Sequence, residues 1–77
     1  MSVLLEEVRK AKRLPSPQMR KSIRVEAGIS QTRMAAELGV DRVTVARWET
    51  PGDRTPRGEL LERYSDLLMG LQAEVAS

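Results

Sequence analysis

The chain has 77 residues with no Cys and no His, and its 13 Lys and Arg against 11 Asp and Glu give a formal charge of +2. A chain of this length reads as one domain. Without Cys or His it has no zinc finger, disulfide framework, thiol nucleophile or imidazole acid–base chemistry. No apolar run exceeds three residues, so no membrane span is expected, and Val3-Leu4-Leu5 followed by Glu6 and Glu7 is not the pattern of a signal peptide.

Helix punctuation recurs along the chain and no strand alternation appears. Ser2 can cap a first segment in which Leu4, Val8 and Ala11 share a face. Leu14-Pro15-Ser16-Pro17 interrupts it, with Ser16 as an N-cap and Pro17 at the first helical position. Met19, Ile23 and Ala27 then recur every four residues, and Gly28 supplies a left-handed stop. Ser30 caps the next helix, which turns Met34, Ala35 and Leu38 inward and ends at Gly39. Asp41 caps a short fourth helix with Val45 and Trp48 inward. Thr50 precedes Pro51 and is disfavoured as helical, so residues 50–56, with two Pro and one Gly, read as a loop. A last helix starts near residues 57–59 and carries Leu60, Leu61, Tyr64, Leu67, Leu68, Leu71 and Val75 as a broad apolar stripe. The expected fold is all-α, a compact bundle of about five short helices in a single domain over 1–77. Residues 1–15 form an extra N-terminal helix, 16–70 the core and 71–77 a C-terminal tail.

The small net charge hides an uneven distribution. Residues 1–8 carry −2, residues 9–57 carry +7 and residues 58–77 carry −3. A basic middle between acidic ends suits a polyanion partner. Arg supplies ten of the 13 bases, and its planar fork matches phosphate and guanine. Arg9, Lys10, Lys12, Arg13, Arg20 and Lys21 form a basic run that is either solubilising surface or a set of sequence-independent phosphate contacts.

Residues 31–48 are the most informative stretch, two short helices on either side of a turn containing Gly39. Ala35 is small where a second helix must cross, and Gly39 accepts positive φ without a Cβ clash. Met34, Leu38, Val40, Val45 and Trp48 have the spacing to lock both helices onto the rest of the domain, and Trp48 reads as core rather than as a base-stacking residue. Arg42, Val43, Thr44, Ala46 and Arg47 form an outward face without acids, on a helix of a size that enters a DNA major groove.

This stretch resembles the Cro and phage-repressor-like (XRE) helix-turn-helix family, with the lambda-repressor-like fold. The resemblance covers Arg24 to about Leu68. It is carried by Arg24, Gly28-Ile29-Ser30-Gln31, Ala35, Leu38-Gly39-Val40 and Val45-Ala46-Arg47-Trp48-Glu49. It implies that Arg42, Val43, Thr44 and Arg47 reach base edges, and that Gln31 contacts a phosphate and supports recognition. It implies a partly buried structural ion pair between Arg24 and Glu49. Ala35, Leu38, Gly39, Val40, Val45 and Trp48 are then the motif core. Pro56 and Arg57 match a place just before the last helix where a basic side chain approaches the DNA backbone or minor groove, and Arg33, on the outer face of its helix, is a further phosphate candidate. Thr50-Pro51-Gly52 departs from the family's usual Gly or Asn turn, and Val43 stands where polar readers are common, fitting either a thymine methyl or plain packing.

The expected function is sequence-specific binding of double-stranded DNA by a transcriptional regulator, a minimal Cro-type phage or mobile-element repressor with its recognition helix over 42–49. An antitoxin-type regulator and a helix-turn-helix scaffold used as a protein-interaction module are the alternatives. No catalytic residue, metal, cofactor, membrane or small-molecule substrate is expected, since no carboxylate pair or phosphate-cradling loop stands out. Family members usually bind two half-sites ~34 Å apart as dimers, and Leu68, Leu71 and Val75 are the candidate homodimer contact. The expected location is the cytoplasm of a bacterial or phage-infected cell, on the nucleoid.

Overall fold

A computed structural model describes residues 2–6 and 14–76 of the chain. Residues 3–6 are helical, and Ser2 Oγ accepts from the Leu5 N–H at 3.4 Å. Four longer helices follow: α1 (Pro17–Glu26), α2 (Gln31–Leu38), α3 (Arg42–Trp48) and α4 (Gly58–Ala76). No strand occurs among the described residues. The fold is all-α, as the punctuation of the sequence implies. The rest of the first apolar face (Val8, Ala11) and the basic run Arg9, Lys10, Lys12 and Arg13 lie outside the described residues.

The caps explain where each helix begins. Ser16 accepts from Met19 N at 3.2 Å with Pro17 behind it, and Ser30 accepts from Arg33 N at 3.0 Å. Each bond satisfies a first-turn N–H that has no partner inside its helix. Asp41 differs from the expectation. Its backbone has cap geometry (φ −77°, ψ 151°), but its carboxylate makes no capping hydrogen bond. The start of α3 is exposed, so solvent can serve its free N–H groups; the Asp41 charge still lies at the positive end of the helix dipole.

The turns on either side of α2 share one construction. At the end of α1, Gly28 N donates to Val25 O and Ile29 N to Arg24 O. At the end of α2, Gly39 N donates to Ala36 O and Val40 N to Ala35 O. Each pair is a Schellman closure, with Gly28 at φ 75° and Gly39 at φ 71° in the left-handed region. The apolar residue after each glycine, Ile29 or Val40, folds back onto the core.

The core is Leu14, Ile23, Met34, Ala35, Leu38, Val45, Trp48, Leu61, Tyr64 and Leu68. Leu14 belongs to it although it precedes the 16–70 span assigned to the core from sequence. Trp48 and Tyr64 meet with ring centroids 4.8 Å apart and planes tilted by 40°, so Trp48 is core and takes no part in stacking on bases. The α1 stripe is corrected: Ile23 is buried, but Met19 is 49% exposed, and Arg20 and Arg24 turn inward instead. Apolar periodicity cannot find such a face, because two of its three buried members are charged. The α4 stripe is corrected at its end. Leu68 is 1% exposed inside the chain's own core and is unavailable to a second copy; Leu71 is half-buried and Val75 exposed. The stretch set apart as a tail continues α4 to Ala76.

A Cβ at Gly39 would meet nothing within 4 Å, so its left-handed backbone is the sole constraint there. Gly39→Ala is expected to lower stability by about 1–2 kcal/mol from backbone strain alone. Urea unfolding would show this as a lower midpoint at unchanged slope.

Candidate nucleic-acid interface

The seven residues of α3 make a rod about 10 Å long. Val45 and Trp48 anchor it in the core. Arg42, Val43 and Arg47 are exposed on its other side, with Thr44 and Ala46 half-buried on the flanks. The outward residues of α3 carry two cations and no anion.

Behind this face, α1 holds α3 by its polar end. Arg24 Nε donates to Glu49 Oε2 at 2.6 Å and Arg24 Nη2 to Glu49 Oε1 at 3.0 Å, a two-pronged buried pair. Arg24 Nη1 donates to Ile29 O at 2.7 Å, so the same guanidinium also ties down the α1–α2 turn. Its hydrogen bond to Glu49 and then the Glu49 charge hold Arg24 above the usual arginine range, against the opposing pull of burial. Arg20, one turn earlier, donates from Nη1 to Trp48 O and from Nε to Pro15 O, both at 2.8 Å. It therefore caps the last carbonyl of α3, that of Trp48, where a cation also meets the negative end of the helix dipole. Burial lowers its pKa, partly countered by Tyr64; an arginine remains charged all the same. Arg20 thus belongs to the fold and leaves the basic run in which the sequence places it. The clue lay in its spacing, one helical turn before Arg24.

Gln31 sits between the buried pair and the outer face. Its Nε2 donates to Glu49 Oε1 at 3.1 Å, and its Oε1 accepts from Arg42 Nη1 at 3.1 Å. Arg33 lies elsewhere, beside Ile29, Leu67 and Leu71 in a depression between α2 and α4, and is not brought to the α3 face. Arg57 is exposed just before α4. Arg54 is the residue that sequence reasoning leaves without a role. The loop after α3 carries it to a depression of about 260 Å³ that it lines with Asp41, Val43, Thr44, Arg47 and Trp48. No sequence signal marks this, because the path of a loop between two prolines depends on where buried Pro56 anchors it.

Two helices joined by a tight glycine turn, the second held by its inner side and bare on its outer side, define a helix-turn-helix module. A family profile for helix-turn-helix proteins matches residues 21–68, and the chain belongs to that family, of the XRE type that includes Cro and the phage repressors. It is a DNA-binding regulator by that membership, in a family that is not enzymatic. No curated protein and no solved structure matches the chain. No described helix is long and apolar enough to cross a membrane, and no described cluster of carboxylates forms a metal site.

Two predictions follow from this polar centre. Glu49→Ala strands a buried guanidinium and is expected to cost about 3–5 kcal/mol, measured by urea or thermal unfolding. Tyr64 gives the second. Its hydroxyl is buried with no hydrogen-bond partner among the described residues, and burial, aided by the Glu49 charge, pushes its pKa up to about 12. In the unfolded chain it ionises near pH ~10. The folded state therefore keeps a proton that the unfolded state releases, and stability falls as pH rises through the interval between the two values. Tyr64→Phe should be at least as stable as the parent at pH 7 and should lose less stability between pH ~9 and ~12 in parallel melts.

Proposed function

We propose that the protein is a minimal Cro-type repressor of a phage or mobile element, acting in the cytoplasm on nucleoid DNA. It lays α3 in the major groove, and Arg42, Val43, Thr44 and Arg47 meet base edges. Gln31 and Arg57 contact the flanking phosphates, and Arg54 joins them beside Arg47. The observation that carries this reading is the division of the arginines. Arg20 and Arg24 are spent inside the fold, whereas Arg42 and Arg47 stand exposed on α3, whose own outward residues include no acid. A protein-interaction module has no need of such a face. Repression needs only occupancy of a duplex site, and this face suffices for that. Two copies would place their α3 helices in successive major grooves ~34 Å apart. With Leu68 buried, Leu71 and Val75 are what α4 offers to such a contact.

Selection of bound duplexes from a random pool tests the reading, followed by titration of the selected site at several salt concentrations. Binding should weaken with a log–log slope of roughly −0.9 per phosphate neutralised. Arg42→Ala and Arg47→Ala should each lose ~1–3 kcal/mol of discrimination at one base position, while Arg57→Ala should weaken all duplexes alike and flatten the salt slope by about one. A double Arg42→Ala, Arg47→Ala variant that still discriminates between sites would refute the assignment of α3.

A further inference from the structure

One acid stands beside the outward side of α3. Asp41 directly precedes the helix and is exposed, and it lines the depression of about 260 Å³ together with Val43, Thr44, Arg47, Trp48 and Arg54. Its carboxylate makes no capping bond, and among the described residues it enters no hydrogen bond or ion pair. Asp53, next to Arg54 in the chain, differs: its Oδ1 accepts from Arg54 N at 2.7 Å. An acid close to a polyanion opposes binding by repulsion. A free one at this place is therefore either a pure penalty or is met by a hydrogen-bond donor of the DNA.

Such donors are few. A carboxylate only accepts. In the major groove it is repelled by N7 and O6 of guanine and by O4 of thymine, and it finds hydrogens only on the amino groups of cytosine and adenine. Adenine sets its N7 acceptor beside that amino group, so one carboxylate oxygen gains what the other loses. Cytosine has a C–H there instead. We propose that Asp41 is a specificity-determining residue that accepts from the N4 amino group of one cytosine and rejects guanine and thymine at that position. This rests on α3 lying in the major groove and adds one base to those its arginines read. Arg47 and Arg54, on the same depression, supply the positive field that offsets repulsion from the phosphates. The depression thus sets an acceptor beside donors. A C·G pair matches that arrangement, since its edge carries the cytosine amino group next to the guanine acceptors.

Duplexes selected from a random pool by the parent should hold a cytosine at one position that becomes unrestricted in Asp41→Ala. On duplexes changed only there, the parent should favour cytosine over guanine or thymine by roughly five- to tenfold, the low end of base discrimination because one hydrogen bond is at stake. Asp41→Ala should bring these affinities together, in part by binding the guanine and thymine duplexes more tightly than the parent does. Asp41→Asn keeps a residue able to begin a helix. Its amide both donates and accepts, so the preference should move to adenine. N4-methylcytosine keeps the pairing hydrogen and puts a methyl in place of the groove one. It should weaken binding by the parent and leave Asp41→Ala unaffected. Melting curves establish that both variants are folded. An equal change on all duplexes in both variants, with the selected sequence intact, would reduce Asp41 to a general charge effect and overturn this proposal alone. So would a parent preference other than cytosine at the position that Asp41→Ala frees. A double Arg42→Ala, Arg47→Ala variant that keeps its discrimination would remove α3 from the groove, and this proposal with it.

Discussion

The two-pronged bond between Arg24 and Glu49 is the constraint around which the domain is arranged. Glu49 directly follows α3, and Arg24 lies in α1, so the bond joins the helix that must present side chains to the helix that must support it. Desolvating both charges takes back much of what their attraction gives, and a well-packed apolar pair of the same volume is often no less stable. What an apolar pair lacks is direction. A planar fork facing a carboxylate admits one angle of approach and one register. Arg20 adds a second fixed point one turn away, at Trp48 O, and the C-terminal end of α3 is thereby held at two places about one peptide apart. A recognition helix held so has little freedom to rotate about its axis.

The same polar centre shapes the core beneath it. Tyr64 packs its ring on Trp48 and lies close enough to Glu49, Arg20 and Arg24 to feel all three charges, yet its hydroxyl finds no partner among the described residues. The bonds these two arginines make go to carbonyl oxygens and to the Glu49 carboxylate. The aromatic pair supplies bulk and area where Trp48 of α3 meets Tyr64 of α4, and the unpaired hydroxyl is a cost of placing a tyrosine there. The aliphatic remainder, from Leu14 to Leu68, closes the other sides.

Much of this was legible in the sequence, and the rest was hidden for physical reasons. Ser16, Ser30, Gly28 and Gly39 announced helix ends because caps and left-handed stops depend on local chemistry, which a linear reading sees directly. The core members of α2 and α3 were legible because short helices between fixed ends leave few phases for an apolar stripe. The α1 face was not, since Arg20 and Arg24 are buried by partners 28 and 25 residues away in sequence. Asp41 has the residue type and backbone of a cap without the bond, because an exposed helix start has solvent as an alternative. Leu68 looked like part of a free stripe because the stripe on α4 is broader than the surface the domain offers to cover it. Arg54 was beyond reach, since only the course of its loop decides which helix it stands beside.

These corrections also change what the charge pattern means. The basic middle of the chain suggests a polyanion partner, but it counts Arg20 and Arg24 among the charges offered, and both are withdrawn into the fold. The positive charge left at α3 comes from Arg42, Arg47 and Arg54, a smaller and more localised set. The preference for Arg over Lys then has a single explanation on both sides of α3. Inside, the work is to bind carbonyl oxygens and a carboxylate at fixed angles; outside, the proposed work is to fork onto base edges. A lysine ammonium, being a freely rotating point charge, can neutralise in either place but cannot set an angle in either. The supporting side and the outward side of α3 thus call on one property of one residue type, and Gln31, bonded to Glu49 on one side and to Arg42 on the other, joins the two.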